Sequence, residues 1–170
     1  NNAKATFFYV GTQATKFPST VKRVAEAGNE IGNHSYKHEN LPKLSEGAIE
    51  ASINKTNEIL RQYSGQSVRL VRPPYGATSG SVKPALKATG QPSILWSIDT
   101  LDWKTKNTHN TVNVVLTQVK DGDIILMHSI YKQSAEAAEQ IIPALKERGY
   151  QLVTVSELAK ARGINMEAGK

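Results

Sequence analysis

The strongest single indication of the fold is a run of four apolar residues between two polar ones, Asp123-Ile124-Ile125-Leu126-Met127-His128. An apolar stretch without polar alternation is typical of a strand that is buried on both faces, as in a parallel sheet. Other short apolar runs alternate with longer amphipathic stretches from end to end, without a low-complexity segment or an exact repeat. This rhythm predicts an α/β domain built on parallel strands.

Strands and helices can be placed along the chain from these patterns. The predicted strands are 5–10, 30–33, 68–71, 93–98, 123–127 and 151–155. The clearest helix follows Ser45, a candidate N-cap, and stops at Gly65. Two more helices are predicted around 112–119 and 138–145, and Pro143 is expected to bend or shorten the second one. The apolar stripes of all three helices are interpreted as core.

Length and composition favour one soluble domain over residues 1–170. The chain has 170 residues, of which 39% are hydrophobic, enough for one sizeable core and too few for two domains. No window approaches the roughly 18 apolar residues of a membrane span, and Asn1–Lys4 lack the layout of a signal peptide. We therefore expect no membrane span in this chain.

Charge and cysteine content narrow the classes of ligand and partner. The chain has no cysteine, so any metal must be held by His, Asp or Glu. The formal net charge is +6, which suits anionic surroundings such as an acidic cell wall. Lysines and arginines are scattered through the helical stretches without a dense run, so nucleic-acid binding is not expected.

Residues that can bind a metal, transfer a proton or carry a charge lie at or just after the ends of successive predicted strands. His34 and His38 follow the second strand, Arg72 ends the third, Asp102 follows the fourth and His128 closes the fifth. The carboxyl ends of parallel strands meet at one edge, where loops from several strands converge. The sequence therefore predicts an active site at this edge.

The i, i+4 spacing of His34 and His38 is a candidate metal-ligand pair. On a helical turn, this spacing aims both imidazoles at one point and can hold a divalent cation. A zincin protease is excluded, because that class needs Glu directly after the first His and this chain has Ser35 there. A solvated loop with incidental histidines is the alternative on spacing alone.

The other motifs also allow a structural and a functional interpretation. Arg72-Pro73-Pro74-Tyr75-Gly76 is a stiff turn that suits a site, or an ordinary connection with a solvated Arg. Asp99-Thr100-Leu101-Asp102-Trp103 is a functional loop or an acidic helix cap. His128 is a partly desolvated proton donor beside a carboxylate, or a core histidine bonded to backbone. His109 is expected to face solvent.

Taken together, these motifs resemble the polysaccharide deacetylases of carbohydrate esterase family four, also called the NodB-homology domain. The resemblance extends over nearly the whole chain and is strongest to Gram-positive peptidoglycan N-acetylglucosamine deacetylases. It rests on Ala5-Thr6-Phe7-Phe8, Gly32-Asn33-His34-Ser35 with His38, the Arg72 turn, the Asp99 loop and Leu126-Met127-His128, in the family's order.

The resemblance implies a distorted, incomplete (β/α) barrel of parallel strands with one divalent metal. His34 and His38 correspond to two of the family's three metal ligands. Zinc is the expected ion, with cobalt or another divalent metal as the alternative. The third ligand and the catalytic base are the two aspartates of a Thr-Phe-Asp-Asp-Gly-Pro motif on the family's first strand.

That first motif is absent from this sequence, which contains no Asp-Asp pair. The chain opens on what resembles the family's second strand, so the first β-strand and helix are expected upstream, cleaved off or supplied as a separate chain. Loss of catalysis by divergence is the alternative. Cleavage is favoured because Arg72, which braces the missing base in the family, is retained.

The resemblance also implies the reaction and the remaining roles. The metal and the Tyr75 N–H would stabilise the oxyanion, His128 would protonate the leaving amine while Asp102 holds it charged, and Trp103 and Leu126 would line the acetyl pocket. The expected activity is hydrolysis of N-acetyl groups of N-acetylglucosamine in peptidoglycan. Chitin, acetylxylan and poly-N-acetylglucosamine are alternative substrates, and an inactive carbohydrate-binding homologue is the alternative class. An extracellular or cell-surface location in a Gram-positive bacterium follows by analogy.

Overall fold

Helices and short strands alternate along the chain in the computed structural model, which describes residues 2–170. The strands are β1 (Thr6–Tyr9), β2 (Glu30–Asn33), β3 (Ile98–Asp99) and β4 (Ile125–Leu126). The helices are α1 (Gly11–Lys16), α2 (Pro18–Glu26), α3 (Glu46–Ser64), α4 (Val82–Ala88), α5 (Asp102–Thr105), α6 (Thr108–Gln118), α7 (Lys132–Glu147) and α8 (Val155–Ala161). Leu41–Lys43 and Pro74–Gly76 form 3-10 turns. The described part of the chain contains no helix that combines the length and the apolar composition of a membrane span.

The larger of two compact units comprises Lys4–Leu95 and Thr154–Lys170. In it, β1 and β2 pair in parallel with Phe7 opposite Ile31. Single parallel bridges continue the ladder from Asn33 to Val71 and from Val71 to Ser93. The apolar faces of its helices pack into two clusters that contain the fully buried residues Ile49, Ile53, Val71, Leu86, Val21, Ile31 and Leu60.

The smaller unit comprises Trp96–Val153 together with the described N-terminal residues 2–3. Its strands β3 and β4 pair in parallel, with Asp99 opposite Leu126. Its core consists of apolar residues from α6 and α7, namely Val115, Ala137, Ile141 and Leu145. Both units therefore confirm the predicted parallel α/β class, while a single domain over 1–170 stays a prediction.

Helix α3 begins and ends where the sequence predicts. The Ser45 side chain accepts a hydrogen bond from the Ala48 N–H, which satisfies one of the unpaired donors of the first turn. At the other end Gly65 has φ 70°, the left-handed conformation that terminates a helix and that glycine adopts without a Cβ clash.

Strand length is where the sequence-based prediction was wrong. The predicted strands 68–71 and 93–98 are reduced to bridges at Val71 and Ser93, apart from Ile98, which begins β3. The predicted strand 151–155 is absent. Its last residues start α8 instead, because Thr154 and Glu157 form a reciprocal capping box. Pro143 does not shorten its helix, since α7 continues to Glu147.

Candidate active site

The loop that carries His34 and His38 follows directly on β2. The His34 N–H donates to the Tyr9 carbonyl at 2.9 Å, which extends the β1–β2 ladder up to the first histidine. The chain then turns through Ser35 at φ 63° and His38 at φ 59°. Non-glycine residues in this left-handed region cost about 1 kcal/mol or more each, so the surrounding contacts must hold them.

This turn brings the two imidazoles together. The ring centroids of His34 and His38 lie 4.8 Å apart in an edge-to-face arrangement. The sequence predicted a helical turn, and this detail was wrong: residues 34–38 form an irregular loop. Two left-handed residues, rather than helical periodicity, place both rings on one side.

The tautomer of His34 is set by its hydrogen bond. Its Nδ1 lies 2.5 Å from the Arg72 carbonyl oxygen, which can only accept, so Nδ1 carries the proton. The Nε2 atom then keeps the lone pair that a metal requires, and a backbone carbonyl behind a ligating histidine is a common arrangement. The residues present therefore fit a divalent metal, with His34 and His38 as imidazole ligands.

Two imidazoles are not a complete coordination set. No group of three or more His, Cys, Asp or Glu side chains able to hold a metal occurs within residues 2–170. Every aspartate of the sequence follows residue 98: Asp99, Asp102, Asp121 and Asp123. The segment Lys4–Leu95, which contains both histidines, therefore has no aspartate that could serve as their carboxylate ligand.

Arg72 is a buried cation in the same unit. Its side chain is 8% exposed, its Nε donates to the Ile94 carbonyl and its Nη2 to the Leu95 carbonyl, both at 3.1 Å. The guanidinium also lies 4.3 Å from the centroid of the Phe8 ring. Burial lowers the pKa of Arg72 to about 10, so the group stays charged at neutral pH.

The turn after Arg72 has the stiffness that the sequence predicts. Gly76 and Ala77 donate to the Pro73 and Pro74 carbonyls and close a 3-10 turn. Tyr75 within it has φ 62° and is 68% exposed. Its ring centroid lies 4.8 Å from that of His38. The predicted role of its N–H as an oxyanion donor stays a prediction.

In the smaller unit, the buried Asp102 carboxylate and the partly exposed His128 ring form a hydrogen-bonded pair. The Asp102 carboxylate, 1% exposed, accepts from His128 Nδ1 at 2.7 Å and from the His128 N–H at 2.7 Å. The Ser134 hydroxyl donates to the same carboxylate at 2.6 Å and the Trp103 N–H at 2.9 Å. The Thr100 hydroxyl donates to the Leu126 carbonyl at 2.8 Å and so connects the segment before Asp102 to β4.

These contacts decide the charge of Asp102. Burial alone would raise the pKa of this carboxyl, but hydrogen bonds from His128 and Ser134 outweigh burial and hold the pKa below its ordinary value. The carboxylate is therefore ionised at neutral pH, and His128 donates from Nδ1. Its Nε2 is the ring nitrogen that does not contact Asp102.

The remaining predicted residues have different exposures. Trp103 is 46% exposed, whereas Leu126 is buried. Their predicted role as walls of an acetyl pocket stays a prediction. His109 is exposed, as the sequence predicts.

The structure thus collects the predicted residues into two groups. His34, His38, Arg72 and Tyr75 lie together in the larger unit, and Asp102 lies against His128 in the smaller one. Sequence reasoning missed three polar residues that support these groups: Ser134 beneath Asp102, and Ser52 and Glu39 beside the histidine loop. No local motif marks them.

Comparison with known proteins settles the family. The family model described as polysaccharide deacetylase matches residues 1–94, which is more than half of the chain. This chain belongs to the polysaccharide deacetylase family. The resemblance carried by the sequence motifs is therefore confirmed.

Two curated relatives act on peptidoglycan according to their names. The peptidoglycan-N-acetylmuramic acid deacetylase PdaC of Bacillus subtilis is 42% identical over 158 residues, covering 93% of this chain and 33% of the relative. A peptidoglycan-N-acetylglucosamine deacetylase of Bacillus cereus is 41% identical over 165 residues, covering 93% of this chain and 59% of the relative. The chain spans between a third and three fifths of these relatives' lengths.

Solved structures of the family have the same fold. The structure of PdaC from Bacillus subtilis has a TM-score of 0.89 at 41% identity and covers 95% of this chain and 78% of that chain. A family 4 acetyl xylan esterase from Clostridium thermocellum in complex with a cobalt ion has a TM-score of 0.90 at 31% identity, covering 98% and 82%. A family 4 pseudoenzyme from Bacillus anthracis has a TM-score of 0.86 at 33% identity, covering 92% and 56%.

Proposed function

We propose that this chain forms most of the catalytic domain of a metal-dependent deacetylase. The reaction is hydrolysis of N-acetyl groups on N-acetylglucosamine residues of peptidoglycan, with release of acetate. The observation that carries the proposal is the paired state of the predicted residues: His34 lies against His38 and Asp102 against His128. These two contacts support the roles proposed below for the four residues.

His34 and His38 are the proposed ligands of one divalent metal, zinc or cobalt. A cobalt ion in the related acetyl xylan esterase supports a divalent ion in this family. When bound, such an ion polarises the acetyl carbonyl and lowers the pKa of water. On the protein side, the Nδ1 proton of His34 is held by the Arg72 carbonyl, so the ring presents Nε2.

The missing ligand and base are proposed to come from an Asp-Asp motif on an N-terminal segment of the same protein. Support comes from Arg72, whose buried guanidinium would stabilise a carboxylate in its charged form. Further support comes from β1, since its register leaves one edge of the strand facing away from β2. The segment would pair along that edge.

His128 is the proposed proton donor to the leaving amine. Asp102 accepts from Nδ1, which orients the ring and stabilises its charged form, so the proton is delivered from Nε2. The Tyr75 N–H is proposed to donate to the oxyanion, since preorganised donors stabilise developing charge. Trp103 and Leu126 are proposed to contact the acetyl methyl group.

The peptidoglycan substrate is supported by the names of the relatives from Bacillus subtilis and Bacillus cereus. An extracellular or cell-surface location in a Gram-positive bacterium accompanies this proposal, and the net charge of +6 suits an anionic wall. Acetylxylan is the second candidate substrate because of the related xylan esterase, and chitin or poly-N-acetylglucosamine remain alternatives. An inactive carbohydrate-binding homologue is the alternative class, supported by the related pseudoenzyme.

An acetate-release assay tests the proposal. The protein, including its N-terminal segment, should release acetate from peptidoglycan and from N-acetylglucosamine oligomers, and more slowly from acetylxylan. A chelator should abolish release, and added Zn²⁺ or Co²⁺ should restore it. Release that survives thorough chelation would contradict the metal mechanism. Polymer binding without acetate release would favour the inactive homologue.

A further inference from the structure

We propose that Ser52 and Glu39 are positioning residues for the His34–His38 metal site. They hold the loop between the two histidines in the conformation that brings the imidazoles together. This inference rests on the proposed metal site and extends it to residues that lie outside the recognised motifs.

Polar groups of the loop backbone need partners because the loop lies against the protein interior. Ser35 is fully buried and Tyr36 is half-buried. The Ser35 N–H donates to the Asn33 side chain at 2.8 Å, within the segment itself. The next two N–H groups, those of Tyr36 and Lys37, receive their partners from Ser52 and Glu39. An unpaired buried N–H group is costly, so the partner of the half-buried Tyr36 N–H matters, whereas Lys37 and its hydrogen bond to Glu39 are exposed.

Ser52 connects the loop to helix α3. Its hydroxyl accepts from the Tyr36 N–H at 2.9 Å and donates to Glu39 Oε1 at 3.2 Å. The side chain is nearly buried, at 8% exposure, so water replaces it poorly. The helix is anchored in the core through Ile49 and Ile53, on either side of Ser52. Ser52 thus fixes the middle of the histidine loop to a helix that is packed in the core.

Glu39 closes the loop on its far side. Its Oε2 accepts from the Lys37 N–H at 2.9 Å, and its own N–H donates to the Ser35 hydroxyl at 3.3 Å. His38 lies between Lys37 and Glu39, so these two bonds bracket the second metal ligand. With Ser52, the carboxylate forms one connected network under the loop.

The opposite side of the loop is held by α1. The N–H groups of Gly11 and Thr12 donate to the Ser35 and Tyr36 carbonyls, each at 2.9 Å. Gly11 is required for this approach, because a Cβ there would lie 2.7 Å from the Tyr36 ring. The loop is therefore held from both sides, with α1 on the carbonyls and the Ser52–Glu39 network on the N–H groups.

The strained backbone of the loop explains why these contacts act on the metal. Ser35 and His38 occupy the left-handed region, and such outliers persist only where the surroundings over-determine them. Removal of the Ser52 hydroxyl would let the loop relax and separate the imidazoles. The consequence is weaker metal binding in a protein that otherwise keeps its fold.

Cobalt binding by the purified protein, including its N-terminal segment, tests this inference. Ser52→Ala should weaken Co²⁺ binding about 10-fold or more in calorimetric titration, in the range found for residues behind metal ligands. The visible absorption of bound Co²⁺ should change as well, since it reports ligand geometry. Glu39→Gln, which keeps one acceptor oxygen, should weaken binding less than Glu39→Ala. The Ser52→Ala/Glu39→Ala double variant should lose less binding free energy for Co²⁺ than the two single losses added together, because the residues act through each other.

Ser64→Ala is the matched control. It removes a hydroxyl from the same helix, where Ser64 donates to the Leu60 carbonyl at 2.7 Å far from the loop. Thermal unfolding of the metal-free variants separates loss of fold from loss of positioning, and the Glu39 series provides a second test if Ser52→Ala unfolds. Wild-type Co²⁺ affinity in Ser52→Ala, or equal losses in Ser52→Ala and Ser64→Ala, would overturn the inference alone. Absence of Co²⁺ binding by the unsubstituted protein would overturn both the proposed metal site and this inference.

Discussion

At the residue scale, His34 and His128 are the same residue type with different neighbours. His34 Nδ1 faces a neutral carbonyl, that of Arg72, while His128 Nδ1 faces the ionised carboxylate of Asp102. The Arg72 carbonyl can only accept, so His34 donates from Nδ1 and keeps the Nε2 lone pair, whereas the Asp102 carboxylate accepts from His128 Nδ1 and orients that ring. These different partners support the different roles proposed for the two histidines.

This difference predicts separable losses on substitution. His128→Ala should reduce turnover by about 10²–10⁴-fold, the usual contribution of general acid–base catalysis, and leave metal content unchanged. His34→Ala should instead lose bound metal, because the proposed role of His34 is ligation. Metal analysis beside acetate-release kinetics measures both effects, with exposed His109→Ala as the control. Equal metal loss in the His34 and His128 variants would show that the two roles are wrongly assigned.

The lowered pKa of Asp102 predicts how stability depends on pH. Because the pKa is lower in the folded state than in the unfolded state, the carboxylate stabilises the fold above its unfolded pKa, about 4, and this contribution is lost as pH falls through the folded pKa. Asp102→Asn should therefore be less stable than the unsubstituted protein at neutral pH, and the difference should shrink in acid. Urea unfolding at several pH values measures it. A difference that stays constant or grows as the pH falls would contradict the assignment.

At the element scale, helix α3 supports the histidine loop. Replacement by alanine is expected to have opposite effects on stability at Gly47, in its first turn, and at Gly65, its C-cap. Gly65 has φ 70°, where a Cβ is strained, whereas Gly47 lies in the first turn with no atom within 4 Å of a built Cβ. Gly65→Ala should lower the free energy of unfolding by about 1 kcal/mol. Gly47→Ala should raise it by about 0.5–1 kcal/mol, because alanine restricts the unfolded chain and favours helix. Chemical denaturation of this matched pair checks the sign of each, and a stabilised Gly65→Ala would refute the left-handed cap.

The hydrogen-bond pattern of strand β1 predicts which of its amides the proposed N-terminal segment would cover. The Ala5 and Tyr9 carbonyls accept from the Glu30 and His34 N–H groups, so odd-numbered positions bond to β2. In a parallel ladder the intervening N–H groups, those of Thr6 and Phe8, face the opposite edge. We expect the proposed N-terminal segment to protect these two amides.

Hydrogen exchange resolves this expectation residue by residue. The amides of Thr6 and Phe8 should exchange quickly in a polypeptide of residues 1–170 and slowly in the protein that carries the Asp-Asp segment. The odd-numbered amides of β1 serve as the internal control, because β2 already protects them. Equal exchange at Thr6 and Phe8 in the two proteins would argue against pairing at this edge.

At the scale of the whole molecule, catalysis by residues 1–170 should be incomplete. The described residues contain imidazoles and a buried guanidinium for a metal site but no cluster of three ligands. We therefore predict that this polypeptide releases acetate at least 100-fold more slowly than the protein with the proposed Asp-Asp segment, which would supply the base and the third ligand. Acetate-release kinetics on both proteins measure the ratio. Equal rates would show that this chain supplies a base of its own.

The sequence alone was enough to predict the fold class, the family and the short motifs that carry the site residues, whereas the contact between Asp102 and His128, 26 positions apart, was implied only by the family resemblance. Parallel α/β class follows from local periodicity, and the metal and acid–base motifs are short contiguous segments that need no knowledge of distant contacts. Ser45 and Gly65 were predictable for the same reason, because a helix cap is a local structure. These features lie within one or two turns of the chain.

The contacts that position the His34–His38 and Asp102–His128 pairs became visible only in the tertiary structure. Ser52 reaches Glu39 across 13 positions, Ser134 reaches Asp102 across 32, and no local pattern encodes such contacts. Strand length also depends on neighbours, which is why 151–155 was wrongly predicted: the reciprocal Thr154–Glu157 cap starts a helix there instead. The left-handed turn at Ser35 and His38 depends likewise on α1 and α3. The physical reason is that periodicity and caps act between near neighbours along the chain, whereas hydrogen bonds to buried groups are satisfied by whichever residue the fold brings within reach.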